Sequence, residues 1–236
     1  MTGEEAGARQ ADSASKPCPE TAVLNRSWES AEKVRKWVEW VIPHQLEGRE
    51  ALPTAARAQL RHGLGKEVGS VPSIWTYTLE SERPGLRDKD KDKDDKELSR
   101  GERAVHTSLT LWARHQGSNA APMHMVEAKE APRSFGAAVR ALAEKGRGDK
   151  RPEETPVFRR LSSVVAVQAF DALAHHLRGI VDLLEAAEIP MDYGLLAADL
   201  FEWQSPQRRS AVTRRWGRQF ARAPIPAENA GDKAPE

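Results

Sequence analysis

Apolar side chains spaced alternately three and four residues apart constrain this chain more than any other feature. Phe170, Leu173, Leu177, Ile180 and Leu184 repeat the spacing over four turns, which indicates one face of an α-helix. Similar stripes comprise Leu24, Trp28, Ala31, Val34, Val38 and Val41, and then Leu195, Leu196, Leu200 and Trp203. Residues 73–80 have some strand propensity, but no convincing set of alternating strands is present. The pattern predicts an all-α fold, a compact bundle of two packed helical groups with roughly eight or nine helices.

Prolines that follow a capping residue mark where several helices begin. Thr155-Pro156 and Ser205-Pro206 each place an N-cap side chain before a proline at the first helical position. Asp192, shortly after Pro190, indicates another start. Pro72 and Pro132 also suit the first turn of a helix.

Local composition divides the chain into a helical region and two tails. Residues 1–20 and 223–236 are small, polar and rich in proline, which predicts disorder. A single helical domain is expected over 21–222. Within it, a charged flexible loop at 82–97 separates N-terminal helices at 21–81 from C-terminal helices at 98–222. The chain has neither a secretory signal nor an apolar run long enough to span a membrane, so a cytoplasmic protein is expected.

Charge is strongly segregated although the net charge of the whole chain is only +1. Residues 165–203 carry seven acids and one base, a net charge of −6. Residues 204–222 carry six arginines and no acid, a net charge of +6. The local distribution, rather than the total, therefore carries the information about binding partners.

The six arginines lie in one predicted helix that begins after Ser205. At about 100° per residue, Val212, Trp216 and Phe220 fall on a narrow apolar stripe that faces the core. Five arginines share an arc of about 120° on the opposite side; they are Arg208, Arg214, Arg215, Arg218 and Arg222. Arg209 falls on the apolar side instead, where it is expected to lie along the core edge or pair with an acid.

Two interpretations of the arginine arc remain open from spacing alone. Like charges at i,i+4 destabilise a helix slightly, and no acid within the helix offsets them. The arginines either pair with the acidic helices of residues 165–203 or hold a polyanion, since guanidinium groups bind phosphates bidentately. Further cations outside this helix, such as Arg57, Arg114 and Arg133, could extend a phosphate-binding track.

Sequence signatures of catalysis or cofactor binding are missing. The chain has no phosphate-binding glycine loop and no nucleophile elbow, and its one cysteine, Cys18, lies in the N-terminal tail. The adjacent His175 and His176 point to different sides of their helix, so they do not suit a shared metal ion. The sequence therefore predicts no enzyme activity, no metal, no cofactor and no small-molecule substrate.

A set of motifs in fixed order resembles a known family. The blocks are AVHTSLTLWARHQ…PMH, SFGAAVRALA, TPVFRRLSSV, HHLRGIVDLLEAAEIPMDYGLLAADLFEWQSP and RRWGRQF. Together they resemble the CasB family, the small subunit of the type I-E CRISPR Cascade complex, from about residue 28 to residue 222. The combination is fairly specific, whereas no single block would be.

The resemblance implies a non-catalytic helical subunit of a crRNA-guided surveillance complex in antiviral defence. The implied protein partners are the Cas7-type backbone subunits, the large subunit and a second copy of the chain. The implied nucleic acids are crRNA and target DNA, with a basic face that stabilises the R-loop and the displaced strand. The alternative is a purely architectural subunit whose arginines pair with acidic protein surfaces.

The resemblance also indicates which cations contact nucleic acid. Blocks that are basic in the family contain Arg61, Arg140, Arg159, Arg160, Arg178, Arg208, Arg215 and Arg218, and the arginine arc adds Arg214 and Arg222. One position departs from the family, which often has a basic residue after the glycine of SFGAAVRALA, where this chain has Ala137. Either Arg140, one turn later, replaces that contact, or the contact is absent.

Overall fold

A computed structural model describes residues 29–80 and 99–222 of the chain. Within these ranges the chain forms nine α-helices and no strand beyond isolated bridges, which confirms the all-α prediction. The helices are α1 (Ala31–Val41), α2 (Ala51–Gly63), α3 (Trp75–Thr78), α4 (Arg100–Gln116), α5 (Phe135–Gly146), α6 (Pro156–Ala166), α7 (Phe170–Ala187), α8 (Tyr193–Trp203) and α9 (Pro206–Ala221). A π-helical turn, Ile42–Leu46, extends α1, and 3₁₀ turns at Pro72–Ile74 and Pro152–Glu154 precede α3 and α6.

The predicted helix starts are mostly confirmed. The side chain of Thr155 accepts a hydrogen bond from the Phe158 N–H, and that of Asp192 accepts one from the Leu195 N–H. Ser205 is the N-cap of α9, but its hydroxyl donates to the Gln207 side chain instead of capping the backbone. The start predicted at Pro132 is wrong, because α5 begins at Phe135 after Ser134.

Residues 73–78 are helical and Leu79 and Glu80 form no strand, so the strand propensity of this segment does not decide its structure. Ile74 and Thr78 are buried on one side of this short segment, and Thr78 donates to the Ile74 carbonyl as a helical side chain does. Burial at i and i+4 suits a helical turn rather than an alternating strand. The tails at 1–20 and 223–236 and the charged loop at 82–97 lie outside the described residues.

The core is organised around α8, which contacts α1, α4 and α9. Its side chains are buried on nearly all sides, as expected for a central helix. Tyr193, at its start, is fully buried, and its hydroxyl lies 2.9 Å from Nδ1 of His115 on α4. Since α1 also packs on α8, and α2 on α4, the buried apolar side chains of the two helical groups form one continuous cluster.

The C-terminal helix α9 lies very close to α5. A Cβ atom added at Gly136 would lie 2.4 Å from the Trp216 carbonyl oxygen and 2.7 Å from Cβ of Gln219, so only glycine fits there. Gly217, in the middle of α9, has no described atom of a neighbouring element within 4 Å of such a Cβ. The close approach therefore depends on the glycine of α5 rather than that of α9.

None of the described helices is long and apolar enough to cross a membrane.

This packing predicts opposite effects for two glycine substitutions. Gly136→Ala forces α5 and α9 apart and should lower the free energy of unfolding by about 1–3 kcal/mol. Gly217→Ala is the matched control in the facing helix and should raise stability by about 0.5–1 kcal/mol, because alanine loses less conformational entropy than glycine in a helix. Urea denaturation measures both values, and a stable Gly136→Ala variant would contradict the close approach.

Candidate nucleic-acid interface

The inner face of α9 fixes the helix to the core in a defined rotation. Val212, Trp216 and Phe220 are buried, as the helical winding predicted. The ring of Trp216 packs edge-on against Phe135 of α5, with 5.0 Å between ring centroids. Phe220 packs against Phe158 of α6 at 5.2 Å. These contacts determine which side of α9 its arginines occupy.

A buried carboxylate of α8, Asp199, adds a polar contact to this apolar seam. Its Oδ2 accepts a hydrogen bond of 2.5 Å from the Trp216 indole N–H. Its Oδ1 forms an ion pair with the guanidinium of Arg215, which also bonds Oε2 of Glu202 at 2.8 Å. Asp199 is only 6% exposed, so both of its oxygens are used inside the protein.

The arginine arc divides into two sets with different surroundings. Arg215 and Arg208 reach back to α8, where Arg208 Nη1 lies 3.2 Å from Glu202 Oε1. Arg214, Arg218 and Arg222 are exposed, and within the described ranges no carboxylate lies within 4.0 Å of them. These last three are called the outer arginines below.

The outer arginines form a regular row. They follow one another at i,i+4, which spaces their Cα atoms about 6 Å apart along the helix axis. Each guanidinium can bind phosphate oxygens through two parallel N–H groups. A row with this spacing suits consecutive phosphates of a nucleic-acid strand, and each Arg–Arg neighbour pair costs a few tenths of a kcal/mol when no anion is bound.

Three other acids of residues 165–203 are engaged away from α9. Asp182 and Glu185 both pair with Arg114, at 2.8 and 3.6 Å. Asp192 accepts backbone N–H bonds from Leu195 and Glu127. The acidic segment therefore balances only part of the arginine arc within the described chain.

Other predicted contact residues lie at different distances from this row. Arg159 and Arg160 are exposed on α6. They directly follow Phe158, whose ring contacts Phe220 near the C-terminal end of α9. Arg140 is only 15% exposed at its side chain; it pairs with Glu144 at 2.7 Å and donates to the Phe220 carbonyl. Its guanidinium is thus committed to the α5–α9 contact in the free chain.

Two predicted residues are not brought to α9. Arg61 lies in the last turn of α2, which packs on α4, and donates to the Gly117 carbonyl. Arg178 lies on α7 and lines a cleft between α4 and α7. Sequence reasoning missed two further cations of that cleft, Lys66 and Arg103, because only the tertiary packing brings them together.

Several cations considered as extensions of the track have structural contacts instead. Arg57 donates to the carbonyls of Leu46 and Gly48, and Arg114 pairs with α7 as described above.

Arg209 lies 4.2 Å from the Trp203 ring centre and donates to Gln168 Oε1. The prediction that Arg209 lies along the core edge is therefore right, although its partner is an amide rather than an acid.

In the part of the chain that the structure describes, no group of three or more side chains could hold a metal ion. His175 and His176 pack edge to face, with ring centroids 5.8 Å apart.

The fold and the arginine helix together define a class of protein. It is an all-helical protein that exposes a row of arginines on a helix packed against the core. Comparison with known families gives a specific match: the family described as CRISPR-associated protein Cse2 matches residues 56–220. The crystal structure of CasB from Thermobifida fusca is similar, with a TM-score of 0.59 and 30% sequence identity over 80% of this chain and 96% of that one. No curated protein matches significantly.

This chain therefore belongs to the Cse2 (CasB) family, as the motif resemblance indicated. The family places it among the small subunits of CRISPR Cascade complexes.

Burial affects the protonation of the carboxylate below α9. Desolvation raises the pKa of Asp199 from its usual 3.8 to about 6, although Arg215 and the Trp216 N–H act in the opposite direction. The folded chain thus binds this proton more tightly than the unfolded chain does. Protonated Asp199 therefore adds to the free energy of unfolding. This contribution is fully present below the usual pKa of 3.8 and is lost as the pH rises through about 6.

This shift predicts a pH-dependent difference between the wild type and Asp199→Asn. The free energy of unfolding of the wild type should fall relative to the variant between about pH 4 and 7, by up to about 3 kcal/mol. Urea denaturation at several pH values measures this difference, in which the other titrating groups cancel. Parallel pH profiles for the two proteins would show that burial does not perturb Asp199.

Proposed function

We propose that this chain is a non-catalytic small subunit of a type I-E surveillance complex that binds the nucleic-acid backbone through α9. In this role it stabilises the R-loop formed by crRNA and target DNA and holds the displaced strand. The observation that carries the proposal is the row of outer arginines. Their side chains are exposed on a helix that packs against the core, and no described carboxylate lies within 4.0 Å of them. A row that contacts phosphates alone binds without regard to sequence.

Base pairing in such a complex reads the sequence, so the protein needs to recognise only backbone and shape. The outer arginines suit this task because each guanidinium can bind phosphate oxygens and none forms an ion pair with a described carboxylate. Arg159 and Arg160 lie beside the end of the row and extend the proposed surface onto α6. Within this proposal Arg208 and Arg215 contribute less, because Glu202 and Asp199 compete for their guanidinium groups.

The proposed partners are the Cas7-type backbone subunits, the large subunit, a second copy of the chain, crRNA and target DNA. Family membership supports participation in such a complex. The individual partners and the cytoplasmic location stay predictions from the sequence.

A purely architectural role is the second candidate, and the pairing of Arg208 and Arg215 with α8 favours it. In that role α9 simply locks onto α8, and the outer arginines meet acidic surfaces of neighbouring subunits. The two candidates differ in whether the isolated chain binds nucleic acid.

Replacing the outer arginines with alanine separates the candidates. The triple variant Arg214→Ala, Arg218→Ala, Arg222→Ala should bind single-stranded DNA and RNA roughly tenfold more weakly at low salt, and uniformly across sequences. The slope of log affinity against log salt should fall in magnitude by about 2, because about 0.7 counterions are released for each phosphate contact. Fluorescence anisotropy over a salt series measures both quantities.

The matched control removes three exposed lysines outside α9, namely Lys33 and Lys36 of α1 and Lys129 before α5, so that the change in net charge is identical. A second comparison, Arg208→Ala with Arg215→Ala, should reduce stability more than binding. Equal losses in the triple variant and the lysine control would mean that only net charge matters and would contradict a specific α9 surface.

A further inference from the structure

A cleft of about 610 Å³ lies between α4 and α7, closed on its third side by the loop after α2. The apolar part of the wall includes Leu64, Val68 and Phe170. The volume and mixed lining are those of a small-molecule or single-residue site rather than of a packing defect.

Each of the three walls contributes one cation to the cleft. Lys66 comes from the loop, Arg103 from α4 and Arg178 from α7. The Lys66 ammonium also lies 2.5 Å from Nε2 of His62, so the two guanidinium groups are the cations without a described partner. All three side chains belong to exposed residues, and within the described ranges no carboxylate lies within 4.0 Å of either guanidinium. Convergence of cations from separate elements favours a ligand that carries a phosphate.

The lining also contains hydrogen-bond acceptors. Glu67 and Asp171 line the same cleft, so a bare anion or an acidic peptide would meet repulsion as well as attraction. His106 lines it too; its Nε2 lies 3.3 Å from the Gly63 carbonyl, and its buried Nδ1 has no partner in the described structure. Burial lowers the pKa of His106, so the neutral ring with Nδ1 as an acceptor is favoured.

A ligand that combines a phosphate with N–H donors on a flat apolar ring matches all of these groups. A nucleotide has this combination, whereas inorganic phosphate and an acidic peptide each lack part of it. Contact of a flat base with apolar or aromatic side chains is also how single strands are commonly held.

The Phe170 end of the cleft lies near the start of α9. Gln168, two residues before Phe170, accepts from Arg209, and the Phe170 ring packs against Trp203 with 6.2 Å between centroids. At the same corner, Gln204 donates to the Arg100 carbonyl, one turn before Arg103. A strand that leaves the N-terminal end of α9 therefore has a short path to the cleft.

We propose that the α4–α7 cleft binds one unstacked nucleotide of a single strand, with its phosphate on Arg103 and Arg178 and its base against the Phe170 side. The proposal rests on the function proposed above and adds a second contact point that receives a base rather than backbone alone.

The test uses the full chain and a dodecamer of deoxythymidine that carries photoreactive 4-thiothymidine. Irradiation followed by mass spectrometry should place crosslinks on peptides of α4 and α7 that line the cleft. The variant Arg103→Ala with Arg178→Ala should lose those crosslinks and bind roughly tenfold more weakly. Arg49→Ala with Arg151→Ala removes two other exposed arginines and is the control, expected to retain both signals.

The outcomes distinguish failure of the cleft from failure of the α9 surface. If the outer-arginine variant loses affinity while the cleft variant matches its control and crosslinks lie elsewhere, the cleft proposal is overturned and the α9 proposal stands. If the cleft variant loses affinity and crosslinks while the outer-arginine variant matches the lysine control, the α9 proposal fails and the cleft stands. If an alternating Asp-Phe hexapeptide binds the cleft and the oligonucleotide does not crosslink there, the site takes a protein segment and the proposal is overturned.

Discussion

The position of the arginine row depends on one buried carboxylate between α8 and α9. Asp199 accepts a hydrogen bond from the Trp216 indole N–H and pairs with Arg215, the preceding residue of the chain. These two contacts fix both the rotation of α9 about its axis and the side of α9 from which the Arg215 side chain projects. A buried charge is tolerated at such a site because both of its oxygens are satisfied. The result is a helix whose opposite face projects outward in a fixed direction.

Distribution of the acids then decides which cations are available to a partner. Near α9, Asp199 and Glu202 hold Arg215 and Arg208, while the acids of α7 hold Arg114. The outer arginines, Arg214, Arg218 and Arg222, are left with no described acid. The near-neutral chain thus keeps a concentrated positive row, because the described acids nearest to α9 and those of α7 that pair with Arg114 are used within the fold. This division of the acids is the physical reason to prefer a polyanion over acidic helices for the outer set.

Helical spacing alone predicted the all-α fold, the buried stripe of α9 and the shared arc of five arginines, since these features follow from local periodicity. The partners of those arginines depend on how α8 crosses α9, so the sequence left phosphate and acidic helices as equal alternatives. The need for glycine at position 136 was missed, because the close approach of α5 and α9 is a property of two facing helices. The α4–α7 cleft needs three segments to meet, and only the family resemblance pointed to one of its cations, Arg178.

The lifetime of the R-loop in a reconstituted complex tests the central claim most directly. Complexes assembled with the wild type, with the outer-arginine variant or with the lysine control would be loaded onto target DNA and followed after a chase with competitor. We predict that all three complexes assemble equally. Only the complex with the outer-arginine variant should have a shorter R-loop lifetime. Equal lifetimes in assembled complexes, or failure of that variant alone to assemble, would contradict a nucleic-acid role for α9.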